Sequence, residues 1–236
     1  MTLDADADAD AGRDARAAAP AGRRLRLVVA AALAGMLLLV GGIAVGRLTA
    51  PTAPLPPTTT SAEAGFARDM QTHHQQAVEM AMMIRSITVD PDVLVLSYDI
   101  ATSQAQQAGQ MFGWLSVWGL PQSPPEPAMT WMARPALDGT THGHESGDAE
   151  ASAHVPGEPM PGLATAEQLA ALRAAGGEAA DELFLELMIA HHEGGVEMAQ
   201  ALLDRSENDV AVSLARGILV SQQGEIDLMR QLLAAS

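Results

Sequence analysis

The segment Phe66–Ala81 returns 118 residues later as Phe184–Ala199, and eight of the sixteen positions are identical: Phe, Met, His, His, Val, Glu, Met and Ala. A match of this kind means that the fold is built by repeating a unit. The same offset aligns Ile100-Ala-Thr-Ser-Gln104 with Ile218-Leu-Val-Ser-Gln222, Met111 with Met229, Leu115 with Leu233, and Asp90 with Asn208. The unit is therefore a helix–turn–helix hairpin of roughly 50 residues, and two of them joined by a long crossover predict an all-α four-helix bundle with pseudo-twofold symmetry.

Local signals place the helices. Ser61 is an N-cap, and Phe66, Met70, His73, Ala77, Met80, Ile84 and Ile87 follow with helical periodicity. This helix should end between Arg85 and Thr88. Asp90-Pro91 opens the second, which runs to about Trp118 before Gly119 and Pro121. Thr165-Ala-Glu-Gln168 reads as a capping box for a short helix that Gly176-Gly177 ends. The third long helix covers residues 178–204 and the fourth 209–234. The hairpins are thus 62–118 and 178–234, and the crossover 119–177, largely loop up to residue 164, completes a bundle domain of residues 62–236.

Upstream of the bundle, Leu27 to Gly46 is free of charge, with Arg23, Arg24 and Arg26 before it and Arg47 after it. Such a run spans a bilayer as a helix. A cleaved signal peptide is the competing reading, but its apolar stretch is ordinarily shorter, and Ala50 and Ala53 are each followed by Pro. The arginines put residues 1–26, an Asp/Ala-rich disordered tail, in the cytoplasm, and everything beyond Arg47 outside. Residues 47–61 are a Pro/Thr-rich linker. We expect a single-pass cell-membrane protein.

The bundle's apolar stripes contain polar residues where a plain core would not. The second helix brings Gln104 and Gln107 to its stripe, the third His191, and the fourth Gln222 and Glu225. Met70, His73 and His74 share a face of the first helix, with Met80 two turns on; Met188, His191, His192 and Met198 repeat the arrangement. Thioether sulfur suits Cu(I), and imidazole serves Cu(I), Cu(II) and Zn(II). Core filling is the ordinary use of methionine, but two His-His pairs framed by Met in register point to a soft-metal site. Adjacent histidines diverge by about 100° on a helix, so one of each pair is expected to stand back from the ion. Glu225, opposite Gln107 in the repeat, would bind metal or orient a His ring. Glu79 and Glu197 read as solvated or ion-paired. Gly194-Gly195 would leave room for an ion or mark a kink. The crossover adds His142, His144, Glu145 and His154, with Met129, Met132 and Met160, as a weak second site or a polar loop.

Composition narrows the chemistry. The chain has no Cys, so thiolate sites and disulfides are excluded, while 13 Met supply sulfur as thioether. All 13 cationic residues are Arg, and the net charge is −16. Residues 1–26 balance, so the excess falls on the rest of the chain, which argues against nucleic-acid binding and favours attraction of cations.

The paired Phe-x3-Met-x2-His-His-x4-Glu-Met-Ala segments, the stretch Pro161-Gly-Leu-Ala-Thr-Ala-Glu-Gln-Leu169 and the Ser221-Gln-x2-Glu-Ile-x2-Met229 motif resemble the bacterial domain-of-unknown-function 305 family over about residues 62–234. The resemblance implies a ferritin-like four-helix bundle, exported or membrane-anchored, and, through a periplasmic copper-binding member, a copper ion as ligand. Carried over, it implies Met70, His73, His74, Met80, Met188, His191, His192 and Met198 as ligands. Gln107 in place of a second Glu225 and the Gly194-Gly195 pair are points particular to this chain.

Three functions follow. The first is metal binding outside the membrane, with copper sequestered or transferred through Met and His and no catalysis. The second is a bundle that binds a partner or serves a structural role, its polar layer satisfied by its own hydrogen bonds. The third, a carboxylate-bridged dimetal oxidoreductase, wants Glu-x-x-His on two helices, and no Glu-x-x-His occurs in the chain.

Overall fold

The computed structural model describes residues 21–50, 55–140 and 155–235, which fall in two compact units, 1–55 and 56–236. Of the disordered tail expected at residues 1–26, residues 1–20 lie outside the described residues, as does the His142, His144, Glu145 and His154 region, while residues 21–26 are helical, forming the start of the first helix.

The first unit contains α1, Ala21–Thr49. Its residues Gly22–Thr49 are long and apolar enough to cross a membrane and are unburied. A signal sequence near an N-terminus can meet the same criterion, so the helix alone shows a membrane-compatible segment.

The second unit is the all-α bundle: α2 (Ala62–Arg85), α3 (Pro91–Val117), the short 3-10 turn η1 (Thr130–Ala133), α4 (Ala166–Ala174), α5 (Glu178–Leu203) and α6 (Asp209–Ala235). The caps are those read from the sequence. Ser61 accepts a hydrogen bond from the Ala64 amide, Asp90 accepts from the amides of Asp92 and Val93, and Thr165 and Gln168 close a reciprocal capping box. Each satisfies amides that the first helical turn leaves unpaired.

α2 packs on α3 within one hairpin, α5 on α6 within the other, and the hairpins meet chiefly through α2 and α5. The apolar core falls into two clusters. One contains Phe66, Met70, Met111, Met198, Leu202 and Ile218. The other contains their repeat mates Phe184, Met188, Met229, Met80, Ile84 and Ile100. Every one of these residues thus finds its mate in the opposite lobe, as a twofold-related duplication requires. Each fully buried side chain of this size contributes about 1.5–3 kcal/mol.

The crossover is tied down rather than loose. The Asp69 carboxylate accepts from the Met129 amide and Trp131 Nε1 at 2.7 and 2.9 Å. Buried Arg68 donates to the carbonyls of Thr59 and Pro121, and buried Arg205 donates to those of Met132, Arg134 and Ala201. Met129 and Met160, read from sequence as loop residues beside the histidines, lie in the first lobe's core.

Further on, Gln76 makes two hydrogen bonds to the backbone of Ala164. Gly162, at φ 70, presses against Ala190 and His191, and a Cβ on Gly194 would collide with the Pro161 carbonyl. The expected room for an ion at Gly194 is therefore filled by the crossover backbone.

Gly194→Ala should cost about 1–3 kcal/mol, since backbone must move to admit the methyl group. Gly217→Ala, where nothing lies within 4 Å, should stabilise the helix by roughly 0.5–1 kcal/mol. Urea unfolding of the two variants checks both signs.

Candidate metal centre

The two lobes leave a layer between them. Along α2, His73 and His74 fall between Met70 of the first lobe and Met80 of the second; along α5, His191 and His192 fall between Met188 and Met198. Gln104 on α3 and Gln222 on α6 occupy the corresponding positions. All four His are at 0% exposure and both Gln at 2%.

The helical divergence of neighbouring positions decides what each His meets. His73 and His191 face each other across the α2–α5 contact, with ring centroids 3.8 Å apart. His74 and His192 turn toward the partner helix of their own hairpin. His74 Nε2 pairs with Gln107 Oε1 at 2.8 Å, and His192 Nε2 with Glu225 Oε2 at 2.7 Å. The divergence thus sends one His to the interface between hairpins and the other to the interface within a hairpin, and buries both.

The remaining two rings bond to backbone. His73 Nε2 donates to the Pro161 carbonyl at 3.1 Å, and His191 Nε2 donates to the His73 carbonyl at 2.9 Å. A carbonyl or carboxylate oxygen only accepts, so Nε2 carries the proton in His73, His191 and His192, and the Gln107 oxygen places it likewise in His74. The Nδ1 lone pair of each ring is then free, and all four Nδ1 atoms are buried without a partner in the protein. Burial also holds three of the rings neutral. It lowers His73 to about 4 and His74 to about 3, and takes His191 well below the ordinary 6.5. Neutral imidazoles whose protonated nitrogen is anchored are the form in which histidine ligates a metal.

Gln104 and Gln222 also have both amide atoms unpartnered. Six buried side chains with unsatisfied atoms, at about 1–3 kcal/mol each, cost an amount comparable with the roughly 5–15 kcal/mol net stability of a domain. Bare Nδ1 atoms cannot satisfy one another, because all are acceptors; they need a cation or a donor. The donors fit a soft or borderline ion: imidazole nitrogen in the layer, with buried thioethers in the lobes on either side.

The structure divides the methionines differently from the sequence reading. Met70 and Met80, expected to serve one group on α2, lie in opposite lobes. Met70 shares its lobe with Met198, and Met80 with Met188, because α2 and α5 run antiparallel. Met111 and Met229 belong to the same lobes and were missed as candidate donors, although their alignment in the repeat and their place in the stripe pointed to them. Among the described residues no three His, Asp or Glu side chains converge to hold one ion. Glu225 orients His192. Glu79 pairs with Arg173 at 3.3 Å on the surface, a contact of small energetic weight.

Because His73 and His74 resist protonation in the fold, the unfolded chain takes up protons below pH 6.5 that the folded chain does not. Their contribution to stability is complete above that pH and is lost as pH falls toward 4 and 3. Asp69, whose carboxyl is raised by burial, works in the opposite direction. The urea midpoint of the metal-free chain should be lower at about pH 4.5 than at about pH 7.5, and replacing both His73 and His74 with Asn should flatten that difference.

Comparison with known proteins agrees with the fold. The chain resembles a DUF305 protein from Streptomyces coelicolor taken to be secreted, at 43% identity over 75% of this chain and 95% of that one, with a TM-score of 0.64. It resembles a DUF305 fragment from Deinococcus radiodurans at 31% identity over 79% and 100%, with a TM-score of 0.56. Cu(II)-bound CopM is similar at 26% identity over 74% and 97%, with a TM-score of 0.51. No curated protein matches. The family model described as "Domain of unknown function (DUF305)" matches residues 63–233, most of the chain and all four bundle helices nearly end to end, and the protein belongs to that family.

Proposed function

We propose that this protein binds copper outside the cell membrane and serves in its sequestration or transfer. Residues 62–236 would be the extracytoplasmic bundle, held by the linker 47–61 to an uncleaved membrane helix at 27–46, with residues 1–26 in the cytoplasm. The observation that carries the reading is the set of four buried imidazoles, each with Nε2 anchored and Nδ1 bare. His73, His74, His191 and His192 would supply nitrogen, and Met70, Met80, Met188 and Met198 sulfur, with Glu225 holding His192. The similarity to CopM in its Cu(II)-bound form favours copper among the ions this donor set suits. The acidic surface, net −16 for the chain, raises the local concentration of cations.

The competing bundle without metal is at odds with the unpaired Nδ1 atoms and the Gln104 and Gln222 amides. Binding is favoured over catalysis because the buried donors are imidazole in the layer and thioether in the lobes beside it, rather than paired Glu-x-x-His segments.

The full chain, purified in detergent and loaded separately with Cu(I), Cu(II) and Zn(II), should retain copper after desalting. Replacing His73, His74, His191 and His192 with Ala should abolish that retention while circular dichroism still reports helix. Unchanged copper content in the variant would refute the bundle site and turn attention to residues 142–154.

A further inference from the structure

We infer that the two halves of the histidine layer are inequivalent, and that Glu225 makes the His192 half the one that accepts a divalent ion. This rests on the metal-binding reading above. The halves are matched almost residue for residue: His74 with His192, Gln104 with Gln222, and both outer His paired through Nε2 to α3 or α6 thirty-three residues on. At the position behind the ring the match fails. His192 leans on a carboxylate at 2.7 Å, whereas His74 leans on a neutral amide at 2.8 Å.

A carboxylate on the Nε2 hydrogen makes Nδ1 a stronger donor and offsets the charge of whatever binds there. An amide does the first weakly and the second not at all. Around histidines at 0% exposure that difference is decisive, because an uncompensated double charge in a poorly solvated interior is far costlier than a single one. A monovalent soft ion needs less compensation, so the His74 half remains open to it.

A second asymmetry lies on the same side. Gly195 has no side chain, and the Gln222 amide oxygen occupies the place its Cβ would take. In the first half the equivalent residue is Ala77, which carries that Cβ. Gln222 therefore approaches α5 closely, one turn from His191 and His192; its amide atoms, like those of Gln104 in the other half, are unpartnered, so the asymmetry lies in that close approach.

The experiment compares Zn(II), a divalent ion without redox chemistry, with Ag(I), a soft monovalent one, on the full chain in detergent by titration calorimetry. Wild type should bind one tight Zn(II) equivalent. Glu225→Gln should weaken Zn(II) at least tenfold while Ag(I) changes less than threefold, and Gln107→Glu should add a second Zn(II) equivalent. Zn(II) affinity unchanged in Glu225→Gln, or Zn(II) and Ag(I) weakened alike, overturns the inference and leaves metal binding standing. A wild-type chain that binds neither ion overturns the metal-binding reading itself.

Discussion

The bundle is organised around the contact of His73 with His191, where two duplicated helices cross with their imidazoles 3.8 Å apart. Neutral rings can pack in this way; two imidazolium rings could not without severe repulsion. The whole arrangement follows from keeping them neutral. Burial excludes water, each Nε2 hydrogen is given to a fixed oxygen, and the apolar lobes on either side seal the layer. Loss of any one acceptor would leave a ring free to turn, and the direction of its lone pair would no longer be set.

Stability and site are therefore in tension. The lobes, with Phe66, Met70, Met111 and Met198 on one side and Phe184, Met188, Met229 and Met80 on the other, supply the apolar burial that a polar layer forfeits. Methionine suits both demands. Its flexible thioether fills irregular space next to rigid rings, and it remains a soft donor when the neighbouring nitrogen is engaged. A Leu in its place would serve the first role alone.

Much of this was legible in the sequence because it depends on spacing. The 118-residue offset gave the duplicated hairpin, Ser61, Asp90 and Thr165 gave the helix starts, and the register of Gln104, His73 and Gln222 gave a polar layer. What was hidden depends on backbone. The acceptors for His73 and His191 are carbonyls of Pro161 and His73, and no side chain announces them. Gly194 looks like vacant space in the sequence because its occupant, the Pro161 carbonyl, comes from a loop 33 residues earlier. The separation of Met70 from Met80 follows from antiparallel pairing, which periodicity on a single helix does not reveal. Met129 reads as a loop residue because its burial depends on Asp69 holding the crossover on the bundle.

The crossover also explains why a duplicated site does not stay symmetric. One chain joining two hairpins has a single long connection, and it cannot present the same groups to both halves of a twofold arrangement. Here it lies where Gln76 grips Ala164 and where Pro161 reaches His73. The repeat mate of Gln76 is Gly194, which must be small because the same crossover segment passes over it. His191 has no second Pro161 to bond and takes the carbonyl of His73 instead. Once topology has made the two surroundings different, nothing in the packing holds the remaining pairs alike. Ala77 opposite Gly195, and Gln107 opposite Glu225, are differences that a symmetric homodimer of one hairpin could not carry, because each substitution there would appear in both halves. Fusion into one chain is what allows a carboxylate to stand behind one histidine and an amide behind its mate.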